Sequence, residues 1–166
     1  ICHQLMSEGV VLPGEIVIGA DSHSVTLGAF GAFATGVGAT DMAAIWLTGE
    51  TWFRVPASIG VHLEGRFTGA AEAKDLALAY VRELGTDGAT YQSLEFVGDG
   101  IKELSMDERL VLANLSVEAG AKAGLFYADD VTVRYLKERG HAAKPQLPAE
   151  CTYTRNLEFD LSNIVP

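Results

Sequence analysis

The stretch from Ile16 to Thr40, IVIGADSHSVTLGAFGAFATGVGAT, constrains this chain more than any other. Ile16, Val17 and Ile18 predict a short buried strand, because β-branched side chains pack well on a pleated surface. Gly19 and Ala20 end it, and the polar triplet Asp21-Ser22-His23 follows at once. In α/β folds, ligands bind in the loops beyond the carboxyl ends of strands. Asp21 and His23 are two residues apart, so an extended backbone would project both from one side and Ser22 from the other. Gly28, Gly31, Gly36 and Gly38 then alternate with alanines, which lets backbone pass close to a ligand or to another backbone. A carboxylate and an imidazole on one face of such a segment suit acid/base chemistry in a tight site. The glycines do not form a phosphate loop, since no Lys-Ser/Thr closes them. Asp-x-His spacing is also common in structural roles, so pattern alone leaves the site open.

Past the glycines, Thr40 and Asp41 predict the cap of a helix running to about Glu50. Residues 2–8 predict an earlier helix closed by Gly9, with His3 in its first turn. Pro56 stops regular structure behind it, and a domain boundary is expected there, dividing 1–56 from 57–166. In the second part Ile59, Val61 and Leu63 alternate with His62 and Glu64, as in a strand. Leu76, Tyr80 and Leu84 form the stripe of a helix over Glu72–Leu84. A strand follows around Tyr91–Val97. Ser105 and Glu108 match a capping box at the start of a helix reaching about Ala119. Further on come a short strand over 124–127, a helix capped by Asp129, a Pro-containing loop over 141–155, and a strand holding Leu157, Phe159 and Leu161. Alternating strands and helices predict α/β units with parallel sheets and right-handed crossovers.

The quoted motifs carry a resemblance. ICHQ at 1–4, PGEIVIGADSHS at 13–24, GAFGAFATGVGATDMA at 28–43, GTDGATYQSLEF at 85–96 and ELSMDERLVLANLSVEAGAKAGLF at 103–126 occur in the order found in the aconitase superfamily. They are most similar to its branch of 3-isopropylmalate dehydratase large subunits and homoaconitases. Ser24, where that branch usually has Thr, is a small departure. The resemblance implies aconitase-type αβα units with mostly parallel sheets. It implies a hydro-lyase that removes and re-adds water on a hydroxy di- or tricarboxylate, using a [4Fe-4S] cluster held by three cysteines. It also implies a small, swivelling partner subunit that carries a catalytic serine.

By the same resemblance, His3 pairs with Asp21, and His23 pairs with Glu118. The two imidazoles wall the open iron, and the carboxylates orient them. Asp21 and His23 would also bond the iron-bound water. A nearby carboxylate fixes an imidazole's tautomer and favours its protonated form, which can then give a proton to the departing hydroxyl. Asn114 and Glu118, four apart, are expected on one helix face pointing into the site. Ser22 is expected to brace the loop, not to act as the base.

The cysteines depart from the family pattern. Cys2 and Cys151 form no C-x-x-C and occupy no ligand position of the family. The expectation is therefore an internal piece of a larger enzyme, inactive alone, whose cluster sits on other parts of the chain. Two other readings stay open: a non-catalytic assembly module, or a hydrolase holding one Zn or Fe ion on Asp21, His23 and His3.

A net charge of −10 argues against nucleic acid. With an anionic substrate, the cations that hold its carboxylates are expected mostly from outside this piece. The longest uncharged stretch, 22–40, is too rich in Gly, Ala, Ser and Thr for a membrane span. No signal peptide is expected, and two distant cysteines suggest a reducing cytoplasm.

Overall fold

The computed structural model describes residues 2–146 and 152–166; Cys151 and Pro148 lie outside the described residues. Two parallel sheets form the frame. The smaller joins β1 (Ile16–Gly19) to β2 (Phe33–Gly36), and the larger has the strand order β5-β4-β3-β6. Its members are β3 (Ala57–Glu64), β4 (Gln92–Val97), β5 (Ala123–Phe126) and β6 (Arg155–Asp160). Every pairing is parallel, as βαβ connections require.

The helices between strands are those the patterns predict. α1 (Cys2–Leu5) runs into a π-helical turn over Met6–Val10, so Gly9 lies inside the helical stretch and does not close it as expected. α3 (Ala73–Leu84) buries Leu76, Ala77 and Tyr80 on its apolar stripe. α4 (Met106–Leu115) starts from the Ser105 cap, and α5 (Asp130–Glu138) from Asp129, whose carboxylate accepts from the N–H groups of Val131 and Thr132. Helix α2 (Ala39–Thr48) begins two residues earlier than expected: Gly38, not Thr40, is its cap, and the Asp41 carboxylate accepts the Gly38 N–H at 3.2 Å. It ends at Gly49.

Three local expectations change. Ser22–Phe30 is a 3-10 helix, so the extended backbone considered for Asp21–His23 ends at Asp21, and β2, hidden in the Gly/Ala run, follows it. Strand β1 has one hydrogen-bonded neighbour, so Ile16 is exposed instead of buried. Leu161 leaves β6 for a 3-10 turn over Leu161–Asn163, though it stays buried.

The 3-10 helix is the joint of the molecule. Its residues from Ser24 to Phe30 are all buried, against α4, β2 and β5. A side chain at Gly28 would run into the carbonyl oxygen of Gly124 in β5, so only glycine permits this approach. Leu27, Ala29 and Phe30 share one apolar cluster with Val61, Leu76, Leu94, Phe96 and Leu112, and the core thus continues across Pro56. Phe96 and Phe126 stack at 4.6 Å in its middle. The Tyr80 hydroxyl, wholly buried there, donates to the Leu112 carbonyl at 2.8 Å, and burial pushes its ionisation far above the ordinary phenol range.

Candidate active site

Asp21 stands at the carboxyl end of β1 and caps the 3-10 helix. Its Oδ1 accepts the His23 N–H at 2.8 Å and faces His3 Nε2 at 3.1 Å. The two side chains of Asp21 and His23 therefore do not project together from an extended strand. Capping draws the Asp21 carboxylate back over the helix start, where it meets α1. A side chain at Gly36, the last residue of β2, would strike the Asp21 carbonyl and the Ser22 Cα. Glycine there lets the ends of β1 and β2 close on the triplet.

His23 Nε2 lies 3.7 Å from Glu118 Oε1. That is an ion-pair separation, longer than a hydrogen bond. Both side chains are partly open to solvent, with 35% and 54% of their surfaces exposed, while His23 Nδ1 is buried with no hydrogen-bond partner among the described residues. Glu118 does not sit on the α-helix. α4 ends at Leu115, and Glu118 belongs to a 3-10 turn over Ser116–Ala119 closed by Gly120. The tighter turn breaks the four-residue stacking expected of Asn114 and Glu118. Both still face the 3-10 helix: Asn114 Nδ2 donates to Thr26 Oγ1 at 2.8 Å, and the Thr26 hydroxyl donates to the His23 carbonyl at 2.6 Å. Asn114 and Thr26 thus hold the backbone behind His23. Ser22, expected to brace the loop, makes no side-chain hydrogen bond among the described residues and lines a cleft instead.

That cleft has a volume of about 380 Å³, and Gly36, Gly38, Asp41 and Lys122 also line it. It adjoins a cavity of about 240 Å³ lined by Phe33, Phe53, Arg54 and Tyr91, and the two share Thr35, Val37, Asp41 and Lys122. The carboxyl ends of β1 and β2 thereby face the amino ends of β3, β4 and β5. No sequence pattern pointed to this arrangement, because Arg54, Tyr91 and Lys122 are each isolated among unremarkable neighbours.

Two further polar side chains are structural in place. His62 Nε2 bonds Asn156 Oδ1 at 2.8 Å, and Gln4 donates to Glu8 at 3.0 Å. Among the described residues no three His, Cys, Asp or Glu side chains gather to hold a metal ion, so His3, Asp21 and His23 do not form the single-ion site considered above. The sequence holds two cysteines, Cys2 and Cys151, fewer than the three that hold the cluster implied by the resemblance.

A model of the aconitase family (aconitate hydratase) matches residues 1–166. The 3-isopropylmalate dehydratase large subunit of Caldicellulosiruptor bescii is 46% identical over 169 residues, covering 99% of this chain and 39% of that protein. The corresponding subunit of Elusimicrobium minutum is 47% identical, covering 100% and 40%. Large subunit 1 of Methanopyrus kandleri is 43% identical with the same coverage, 100% and 40%. The chain spans about two-fifths of the length of these curated relatives.

Proposed function

The chain belongs to the aconitase family, and from that premise we propose that it is the part of a 3-isopropylmalate dehydratase large subunit that supplies proton-transfer groups for removing and re-adding water on a hydroxy dicarboxylate. The observation that carries this reading is that two histidine–carboxylate pairs meet at one turn, His3 with Asp21 and, two residues on, His23 with Glu118. The family's [4Fe-4S] cluster is held by chain outside these residues, and a small subunit completes the site. On this reading the enzyme works in the cytoplasm, in keeping with its biosynthetic relatives.

His23 is the acid. Because Nε2 stands 3.7 Å from Glu118, its proton is not locked to the carboxylate and is free for the hydroxyl oxygen as the C–O bond breaks. Glu118, 3.7 Å away, keeps the ring facing the opening. In the return reaction His23 takes a proton from the entering water. Asp21 holds His3 in one orientation and, through the His23 N–H, fixes where the acid's backbone starts. Asn114 and Thr26 fix it from behind. Such positioning matters because an error of about 1 Å can cost roughly a hundredfold in rate.

Asp21→Asn tests this in the full-length large subunit assembled with its small subunit. Asparagine keeps the oxygen that accepts the His23 N–H but removes the charge facing His3. Dehydration of 3-isopropylmalate, followed by the absorbance of the unsaturated product, should fall by about 10²-fold or more, with iron content and melting temperature unchanged. Turnover close to that of the unaltered enzyme would overturn the assignment.

A further inference from the structure

Several cations of this acidic chain are already engaged. Lys102, Arg109 and Arg155 pair with carboxylates, and Arg139 lies on the ring of Tyr135. Arg54 and Lys122 differ. The Arg54 guanidinium carbon and the Lys122 ammonium lie 5.1 and 5.4 Å from the centre of one ring, that of Tyr91. Neither has a carboxylate within ion-pair distance among the described residues. Two like charges beside one ring repel, and an anion between them would relieve that repulsion.

The ring is held for this arrangement. Tyr91 is a non-glycine residue with φ +58°, in the left-handed region where side chains are crowded. Its hydroxyl accepts the Arg54 N–H at 3.2 Å. Lys122 is fixed from its backbone, whose N–H donates to the Gln92 carbonyl at 2.8 Å. Lys122 lines both the cavity at Tyr91 and the cleft at Ser22. Asp41, the carboxylate on the same lining, is turned onto the Gly38 N–H. The lining therefore offers two cations without a carboxylate partner among the described residues against one carboxylate already in use, and Ser22 of the proton-transfer turn lines the same cleft as Lys122.

We infer that Lys122, seconded by Arg54 beside the Tyr91 ring, holds a carboxylate of the hydroxy acid in this cleft. The inference rests on the hydro-lyase reading above and adds a substrate-holding group to it. Arg54 alone would not serve, since it lines only the cavity at Tyr91, whereas Lys122 reaches the end of the cleft formed by Ser22 and Gly36.

The test is binding of 2-isopropylsuccinate, a dicarboxylate with no hydroxyl to lose, to the full-length enzyme with its small subunit, measured by calorimetry beside steady-state dehydration. Lys122→Met should weaken binding and raise KM by about 10- to 100-fold, the scale of a charge-assisted hydrogen bond, with kcat changed much less. Lys122→Arg should recover most of the affinity. An unchanged Kd in a Lys122→Met enzyme of normal melting temperature would overturn the inference, as would absence of any binding to the unaltered complex. Lys122-dependent binding without turnover would leave this inference standing and sink the hydro-lyase reading instead.

Discussion

One oxygen of Asp21 both starts a helix and holds His3, so the residue's structural and chemical roles are the same contact. The family resemblance pointed to Asp21, His23, His3 and Glu118, and the structure brings His3 to 3.1 Å from Asp21 and His23 to 3.7 Å from Glu118. The sequence pattern misplaced the geometry, because an aspartate ahead of a helix start folds back to cap it and does not extend. Arg109 was not legible at all. It sits on α4 as an ordinary helix residue, yet it is fully buried and donates to both oxygens of Asp129, each at 2.7 Å, and to the Ile101 carbonyl at 2.7 Å. Burial pushes the Asp129 carboxyl up, but the bonds from Arg109, Val131 and Thr132 outweigh it and hold it below the ordinary range. A carboxyl depressed in the folded state stabilises the fold above its unfolded value of about 3.9, and that stability is lost as pH falls through the lower folded value. Asp129→Asn should therefore cost about 3–5 kcal/mol at neutral pH by leaving a buried guanidinium unpaired. Denaturant titrations at pH 7 and pH 3 would check it; the deficit should shrink at the acid end, and equal deficits would argue against the pair.

Elements with strong periodicity or explicit caps were readable: α3 from its stripe, α4 and α5 from Ser105 and Asp129, β3 from alternation. The Ser105 cap closes as a capping box, its hydroxyl accepting the Glu108 N–H at 3.3 Å while Glu108 accepts the Ser105 N–H at 2.7 Å. Ser105→Ala should cost about 1 kcal/mol without altering turnover of the complete enzyme; an unchanged denaturation midpoint would show the cap to be dispensable. The segment from Ser22 to Gly36 was unreadable for the opposite reason. Its glycines and alanines are small everywhere, so neither a 3.6- nor a 2-residue period emerges. What shapes it is tertiary: Gly28 against the Gly124 carbonyl, and Gly36 against Asp21 and Ser22. A nine-residue 3-10 helix is long for its kind, and the packing of α4 and β5 around it supplies what its own hydrogen bonds do not.

At the scale of the molecule, the site is made of contacts between parts far apart in the chain. α1, the end of β1 and the turn after α4 bring His3, Asp21, His23 and Glu118 together, and the 3-10 helix is the element all of them touch. The parallel α/β order announced that strand ends would meet somewhere. It could not say that the carboxyl ends of β1 and β2 would face the amino ends of β3, β4 and β5, since no local pattern records which sheet edge packs on which. The central claim is that His23 and Glu118, 95 residues apart (118 − 23), act as one proton-transferring unit. The most direct measurement is a double-mutant cycle on dehydration of 3-isopropylmalate by the complete enzyme, with His23→Asn, Glu118→Gln and the two combined. Each single change should lower kcat by about 10²-fold or more, with iron content unchanged, and the double variant should be no slower than the worse single, as for residues that act as a unit. Near-normal turnover in either single variant, or losses that simply multiply in the double, would contradict the account.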